Sequence, residues 1–135
     1  MAHRNNVTIE GNITNDASIE MVGRDKKDKV TNFCIANHNY IKDSSGDMIK
    51  ETHFIDIKAW GREAEKAFMF GKRGKFVQVT GRLFQSKWTD KKGFNRSKLM
   101  VLADNLFFSN DSKYDSSPDE TNALSTEDED NRYNK

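Results

Sequence analysis

Aromatic or charged residues occupy every second position from Phe54 to Trp60, with apolar residues between them, and this spacing is typical of a surface that holds flat ligands. If the stretch is a β-strand, successive side chains point to opposite faces, so that one face carries Phe54, Asp56, Lys58 and Trp60. Two large rings on a charged face predict a stacking platform for nucleobases, with Lys58 between the rings to meet phosphate. The alternative is that Phe54 and Trp60 pack under a loop or against a second subunit.

Aromatic and basic residues interleave in two further stretches of the chain. In the first, His38 and Tyr40 are followed by Lys42. The second and longest cluster consists of Lys87, Trp88, Lys91, Lys92, Phe94, Arg96 and Lys98. Exposed bases of single-stranded nucleic acid stack on such rings, while cations meet the phosphates between them. Duplex binding would instead need a helix or a ribbon that reads groove edges, and the one predicted helix is short and acidic at its start.

Residue types that carry catalysis are present, but their spacing does not support an active site. The three histidines are scattered along the chain, at His3, His38 and His53. Cys34 and His38 would stand about 13 Å apart on a strand, too far to share a metal ion. Residues 71–74 lack the length and the Ser or Thr of a phosphate-binding loop, and Asp56 is expected to stand alone on its strand face. We therefore predict no enzyme activity, no metal and no cofactor, and an enzyme such as a nuclease on this scaffold is disfavoured.

Charge is distributed unevenly along the 135 residues, although the net charge is only +1. Residues 1–110 contain 19 Lys and Arg against 13 Asp and Glu, whereas residues 111–135 contain 3 against 8. A basic body predicts a surface for a polyanion, and an acidic tail predicts a segment that competes for this surface or recruits partners. The acidic segment is poor in apolar residues, and we expect it to be disordered.

The cysteine content and the lack of long apolar runs indicate where the protein works. A single cysteine, Cys34, excludes an internal disulfide and fits a reducing compartment. Because Cys34 lies in an apolar run, we expect it to be a small core residue. The sequence shows neither an apolar signal region nor a membrane-spanning stretch, which predicts a soluble cytoplasmic protein without a membrane partner.

Hydrophobic periodicity predicts five β-strands and one helix that would position these side chains. The strands are expected over residues 6–11, 31–41, 50–60, 75–84 and 97–108, and the helix over residues 62–70. Turns are predicted around Gly46 and over residues 90–93, and the charged residues 23–30 indicate an exposed loop. Gly81 within the fourth strand predicts a bend or a bulge. This order predicts an all-β fold, a five-stranded Greek-key barrel of the OB type with the short helix between strands 3 and 4.

The apolar positions predict which faces form the core. In the third strand, the inward-pointing residues are expected to be Ile55, Ile57 and Ala59. In the fourth strand, the corresponding face consists of Val77, Val79, Gly81 and Leu83. The helix is expected to cap one end of the barrel with Ala64, Ala67, Phe68 and Phe70. The folded domain would then span residues 1–110, followed by the flexible acidic tail of residues 111–135.

These segments resemble the bacterial-type single-stranded DNA-binding proteins, a homotetrameric family with the OB fold. The matching segments between residues 5 and 108 read, in order, NNVTIEGNIT, TNFCIA, THFIDIKAWG, VTGRLFQSKWTDKKG and LMVLADNLFF. The resemblance implies that Phe54, Trp60 and Trp88 are stacking aromatics. The family's aromatic at the end of the second strand aligns with Ile41, and we predict that the neighbouring Tyr40 substitutes for it.

The same resemblance implies an assembly and a set of partners. Members of the family form homotetramers, and their acidic tip closes on Ile-Pro-Phe and docks replication and repair enzymes. This chain has the acidic run 127–130 but closes on the sequence NRYNK, so the usual apolar anchor is missing and Tyr133 is a candidate to replace it. Docking of replication and repair proteins on the tail is therefore expected to be altered or absent.

The residues and the resemblance together predict a protein that binds and protects single-stranded DNA without marked sequence preference, in replication, recombination and repair. The predicted stacking residues are Tyr40, Phe54, Trp60 and Trp88. The predicted phosphate-binding residues are Lys58, Arg62, Arg82, Lys87, Lys91, Lys92, Arg96 and Lys98. We expect the protein in the cytoplasm, associated with the nucleoid. The alternative is an OB-fold module of a primosome or replication-restart complex, in which Phe54 and Trp60 would contact another protein.

Overall fold

A computed structural model describes residues 2–109 of the chain. Its elements, in chain order, are β1 (Val7–Ile13), β2 (Glu20–Val22), β3 (Asp28–Lys42), β4 (Met48–Trp60), α1 (Gly61–Phe70), β5 (Phe76–Thr89) and β6 (Asn95–Phe108). The predicted acidic tail, residues 111–135, lies outside the described residues.

Five of these strands close into a barrel. The hydrogen-bonded order is β1-β5-β6-β4-β3, and β3 returns to β1 through the pairs Asn12↔Ala36 and Ile13↔Ile35. Neighbouring strands run antiparallel except for β4 and β6, which are parallel where Ile57 lies opposite Val101. This arrangement is the five-stranded Greek-key barrel of the OB type, with α1 between β4 and β5, and it confirms the predicted fold class.

The short strand β2 was missed by the sequence pattern. It pairs with the start of β3, from Glu20↔Val30 to Val22↔Asp28, so part of the predicted loop 23–30 belongs to a hairpin. Three residues are too few to show an alternating pattern. The strand exists because β3 extends far enough to offer its edge, which is a property of the folded sheet.

The barrel interior is filled by aliphatic side chains, as the sequence predicted for β4. Ile57 and Ala59 are fully buried, and Ile55 packs against them from the edge of the core. The other strands contribute Ile13, Phe33, Ile35, Val77, Val79, Val101, Ala103 and Leu106 to the same cluster. At roughly 25 cal/mol per Å² of apolar surface removed from water, this burial is the main source of stability for the barrel.

The predicted packing of three large apolar side chains was wrong. Phe68 and Phe70 are about half exposed, because the buried face of α1 is formed by the small residues Ala64 and Ala67 one turn apart. Leu83 is also exposed, since β5 has left the barrel at that point.

Cys34 is only partly buried rather than a core residue. It stands between the inward-pointing Phe33 and Ile35 and therefore points outward, opposite Asp56 of β4.

Gly81 marks the point where the barrel bends, as the sequence predicted. The register of β5 and β6 shifts between Thr80 and Gly81, and the extra residue is Asp104 of β6. A Cβ atom at Gly81 would collide with the carbonyl oxygen of Leu102. The two strands approach so closely here that only a glycine fits.

Helix α1 is tied to the edge of β6 by two charged side chains. The Glu63 carboxylate accepts a hydrogen bond of 2.8 Å from the backbone N–H of Leu106, and Lys66 donates one of 2.9 Å to the Leu106 carbonyl oxygen. Glu63 and Lys66 also pair with each other at 2.8 Å. Together they satisfy the backbone N–H and C=O of Leu106, which is buried. Within residues 2–109, the pairing of β6 with β4 has ended before Leu106, so no strand could do this on the side that faces α1.

Replacing Glu63 by alanine is expected to lower the free energy of unfolding by about 1–3 kcal/mol, because the Leu106 N–H would lose its acceptor. Glu65→Ala is the matched control on the same helix. Within residues 2–109, Glu65 pairs with Lys29 alone, at the surface, so its loss should cost at most about 1 kcal/mol. Urea denaturation at one fixed protein concentration measures both values. Equal losses in the two variants would contradict the proposed role of Glu63.

Candidate nucleic-acid interface

The strand register brings most of the predicted site residues to one face of the sheet. Side chains that lie opposite each other in a ladder point to the same face. Phe54 lies opposite Ala36, Lys58 opposite Leu102, and Trp88 opposite Arg96. We call the face of β3, β4, β6 and β5 that carries these residues, and lies opposite the core, the outer face.

Alternation along each strand then assigns the remaining residues. The outer face carries the predicted residues Tyr40, Phe54, Lys58, Trp60, Arg82, Trp88, Arg96 and Lys98. Lys87 lies on the opposite side of β5 from Trp88, Arg62 belongs to α1, and Lys91 and Lys92 lie in the β5–β6 turn. Eight of the twelve predicted residues therefore share one surface, and the other four surround it.

The four predicted stacking rings are all accessible. Tyr40 is 50% exposed, Phe54 69%, Trp60 44% and Trp88 45%. No segment among residues 2–109 covers them, which excludes packing under a loop of this part of the chain. Phe54, Trp60 and Trp88 are therefore partly open to solvent, as the sequence predicted for these three rings.

One ring carries a cation beside it. The Lys58 Nζ atom lies 5.4 Å from the centre of the Trp60 ring, within the range of a cation–π contact. An anion that approached Lys58 would therefore be held next to a group stacked on Trp60. This pairing of charge and ring is what a nucleotide requires, since its phosphate and its base are joined through one sugar.

Two predicted phosphate-binding residues already have carboxylate partners. Lys98 lies 2.9 Å from Asp56, which corrects the expectation that Asp56 stands alone, and Arg96 lies 2.8 Å from Asp90. The sequence could not show the first pair, because its members are 42 residues apart and meet only where β6 joins β4. Both ion pairs are at the surface, where such pairs are weak enough to be exchanged for a phosphate.

Besides Lys58, five of the other predicted phosphate-binding residues have no carboxylate partner in the part of the chain that the structure describes. They are Arg62, Arg82, Lys87, Lys91 and Lys92. A cleft of about 410 Å³ beside Trp88 is lined by Lys87, Trp88, Thr89, Asn95, Arg96 and Ser97. The β5–β6 hairpin thus combines a ring, a cleft and the largest group of uncommitted positive charge on this side of the molecule.

Asp90 organises the tip of that hairpin, a role that sequence reasoning missed. One of its carboxylate oxygens accepts hydrogen bonds from the backbone N–H groups of Lys92 and Phe94, and the other accepts one from Arg96. The Arg96 guanidinium, followed by these backbone donors, lowers the pKa of Asp90 below its ordinary value. The only signal in the sequence was the Asp-x-x-Gly pattern of the turn.

No three His, Cys, Asp or Glu side chains of residues 2–109 come together in a group that could hold a metal ion. Within that range, no helix has the length and apolar character needed to cross a membrane.

Comparison with known proteins gives a family. The model of the single-strand binding protein family matches residues 4–109. The single-stranded DNA-binding protein of Aquifex aeolicus is 35% identical over 102 residues, which cover 76% of this chain and 67% of that protein. That of Wolinella succinogenes is 32% identical over 102 residues, which cover 76% of this chain and 62% of that protein. The chain thus matches about two thirds of the length of these relatives.

A solved structure has the same fold. It is described as an SSB of Plasmodium falciparum in complex with ssDNA, and it superimposes with a TM-score of 0.73. The match covers 82% of this chain and 98% of the other, at 17% sequence identity. The likeness concerns the barrel, whose strands are shared although few side chains are.

The lowered pKa of Asp90 predicts that the hairpin tip responds to acid. A carboxyl group with a lowered pKa stabilises the folded form above its unfolded pKa of about 3.9 and loses this effect as the pH falls through the lowered value. The protection of the Lys92 and Phe94 amide protons should therefore be complete above the unfolded pKa and be lost as the pH falls through the lowered pKa of Asp90. Amide exchange followed by NMR measures this, with the buried strand residue Val79 as an internal control. If the Lys92 and Phe94 amide protons stay protected when Asp90 is protonated, the proposed role of Asp90 is contradicted.

Proposed function

The chain belongs to the single-strand binding protein family, and from this membership we propose that it binds and protects single-stranded DNA without marked sequence preference. The processes served would be replication, recombination and repair. The observation that carries the proposal is the outer face, where four exposed rings and four cations lie on the neighbouring strands β3, β4, β6 and β5.

The proposed mechanism has two parts. Bases would stack on Tyr40, Phe54, Trp60 and Trp88, for about 1–3 kcal/mol per base, and every base has a face that can do so. Phosphates would be held by the surrounding cations, which release counterions from the strand and make the affinity fall with salt. Neither interaction reads the edge of a base, and this is the physical reason for expecting little sequence preference.

The cations would act in two groups. Lys58, Arg62, Arg82, Lys87, Lys91 and Lys92 have no carboxylate partner in the described part of the chain and would meet phosphate directly. Lys98 and Arg96 would first have to leave Asp56 and Asp90. Since Asp90 also accepts two backbone hydrogen bonds, the Asp56–Lys98 pair is the easier of the two to open.

The proposal is that of a binding protein rather than an enzyme, without a cofactor, acting in the cytoplasm on DNA of the nucleoid.

We also propose the homotetramer that the family resemblance implies. Within residues 2–109, β1 pairs with β3 only at Asn12 and Ile13. Residues 7–11 of β1 therefore have a strand neighbour on one side alone, which is β5. A second copy could extend the sheet at this edge, and the exposed rings of Phe76 and Phe107 are available for packing between copies. Residues 1–110 would form the binding domain, and residues 111–135 a tail that meets replication and repair proteins.

Trp60→Ala and Trp88→Ala are each expected to weaken binding of oligo-dT by about fivefold to 150-fold, because a base loses about 1–3 kcal/mol of stacking. Phe68→Ala is the matched control, since Phe68 is an equally exposed ring on α1 and lies off the outer face. Fluorescence anisotropy of a labelled oligo-dT measures the affinity, and tryptophan emission of the wild type should be quenched on binding. An unchanged affinity in both tryptophan variants, with no quenching, would contradict the proposed function.

Asp56→Asn is expected to strengthen binding by up to about fivefold at low salt, because it releases Lys98 and removes a negative charge from the outer face. The plot of log affinity against log salt should become steeper by about 0.7, the value for one more phosphate contact on a single strand. Glu51→Gln is the matched control. It changes the net charge equally on the same strand, but Glu51 pairs with His53 on the opposite face. Equal effects of the two variants would show that Asp56 acts only through net charge.

A further inference from the structure

The two long hairpins of the protein have turns with the same backbone hydrogen bonds. In the β3–β4 turn, the Asp43 carboxylate accepts from the N–H groups of Ser45 and Asp47, and the Asp43 N–H donates to the Asp47 carbonyl oxygen. In the β5–β6 turn, Asp90 makes the same bonds with Lys92 and Phe94. A glycine with positive φ completes each turn. Asp47 and Phe94 therefore occupy equivalent positions.

The turn itself does not require the phenylalanine ring. Both turns use only the backbone N–H and C=O of that residue, and the β3–β4 turn is closed with an aspartate there. The Phe94 ring is 62% exposed and is not part of the core cluster of residues 2–109. The backbone of Phe94 is thus held by the turn while its ring lies in water, where a ligand can reach it.

The surroundings of Phe94 favour a nucleic acid as that ligand. Lys91 and Lys92 lie in the same turn, whereas the β3–β4 turn has Ser44 and Ser45 at the same places. One hairpin tip is therefore aromatic and positively charged, and the other is acidic.

Phe94 also lies next to the predicted stacking surface. Trp88 is opposite Arg96, and the hydrogen bond from the Asp90 N–H to the Phe94 carbonyl oxygen continues the same ladder into the turn. Alternation then places Phe94 diagonal to Trp88 on the outer face, at the spacing of about 7–8 Å that is usual for such neighbours. Two rings at this spacing, with Arg96 beside them and lysines beyond, suit two successive bases of one strand and their phosphates.

We propose that Phe94, together with Lys91 and Lys92, forms a separate base-stacking site at the tip of the β5–β6 hairpin. Single-stranded DNA bound on the outer face continues past Trp88 onto this tip, and the Phe94 ring stacks on a base there. This inference rests on the proposed function, because it extends the path of the same strand. The closure of the turn by Asp90 holds the backbone of Phe94 in place before DNA arrives, which lowers the entropy lost on binding.

A spectroscopic experiment tests contact at this site directly. In the variant W60F/W88F/F94W, the two native tryptophans become phenylalanines that can still stack, and the only tryptophan is at position 94. Oligo-dT should quench its emission, while anisotropy of a labelled oligo-dT confirms that the variant binds DNA. An unquenched tryptophan at position 94 in a variant that binds oligo-dT would overturn the proposal. Quenching that follows protein concentration without DNA would also overturn it, since it would assign Phe94 to a contact between copies of the chain.

Affinity gives an independent readout. Phe94→Ala should weaken binding of oligo-dT by about fivefold or more, and Phe94→Trp should restore it. Phe68→Ala, at an exposed ring of α1, should leave the affinity unchanged. If Phe94→Ala binds as tightly as the wild type, the tip is not a stacking site and the proposed function stands without it. If the wild type itself does not bind oligo-dT, the proposed function fails instead.

Discussion

The alternation of side chains across β4 is the constraint on which the rest of the molecule depends. Ile57 and Ala59 are fully buried. Lys58, which lies between them, and Trp60, which follows Ala59, must therefore point outward. A slip of one residue in the ladder between β3 and β4 would exchange these two sets, placing a lysine in the core and an isoleucine in solvent. The free energy that holds the core therefore also holds the ligand surface, and the two cannot vary independently.

The barrel is closed by different interactions at different places, because two of its strand pairings, β1–β3 and β4–β6, are short. β1 and β3 share only two pairs of residues, and β4 and β6 share two more. Beyond that short parallel contact, Glu63 and Lys66 of α1 take over the hydrogen bonds of Leu106. At Gly81, the lack of a side chain lets two strands come together. These local solutions allow β5 and β6 to leave the barrel as a long hairpin and to carry Trp88 and the cationic tip outward.

Carboxylates within the outer face moderate its positive charge. Asp56 holds Lys98, and Asp90 holds Arg96, so the free protein does not present an uninterrupted row of cations. Among residues 2–109, Asp56 contacts the side chain of Lys98 alone, whereas Asp90 also accepts hydrogen bonds from the backbone of its turn. The first carboxylate is suited to exchange with a phosphate, and the second to keep the hairpin tip rigid. The proposed binding of a polyanion to this surface would therefore weaken as salt or competing charge rises.

The sequence by itself determined what local patterns can express. Alternation identified Phe54 and Trp60 as outward residues and Ile57 as core, glycine placed the bend at Gly81, and the turn residues placed both hairpin tips, because each depends only on near neighbours in the chain. The tertiary structure alone decided which distant residues meet. The pairing of Asp56 with Lys98, the docking of Glu63 on Leu106, the exposure of Leu83 and the existence of β2 all depend on which strands become neighbours. That choice is made by the closure of the whole barrel, and no window of sequence contains it.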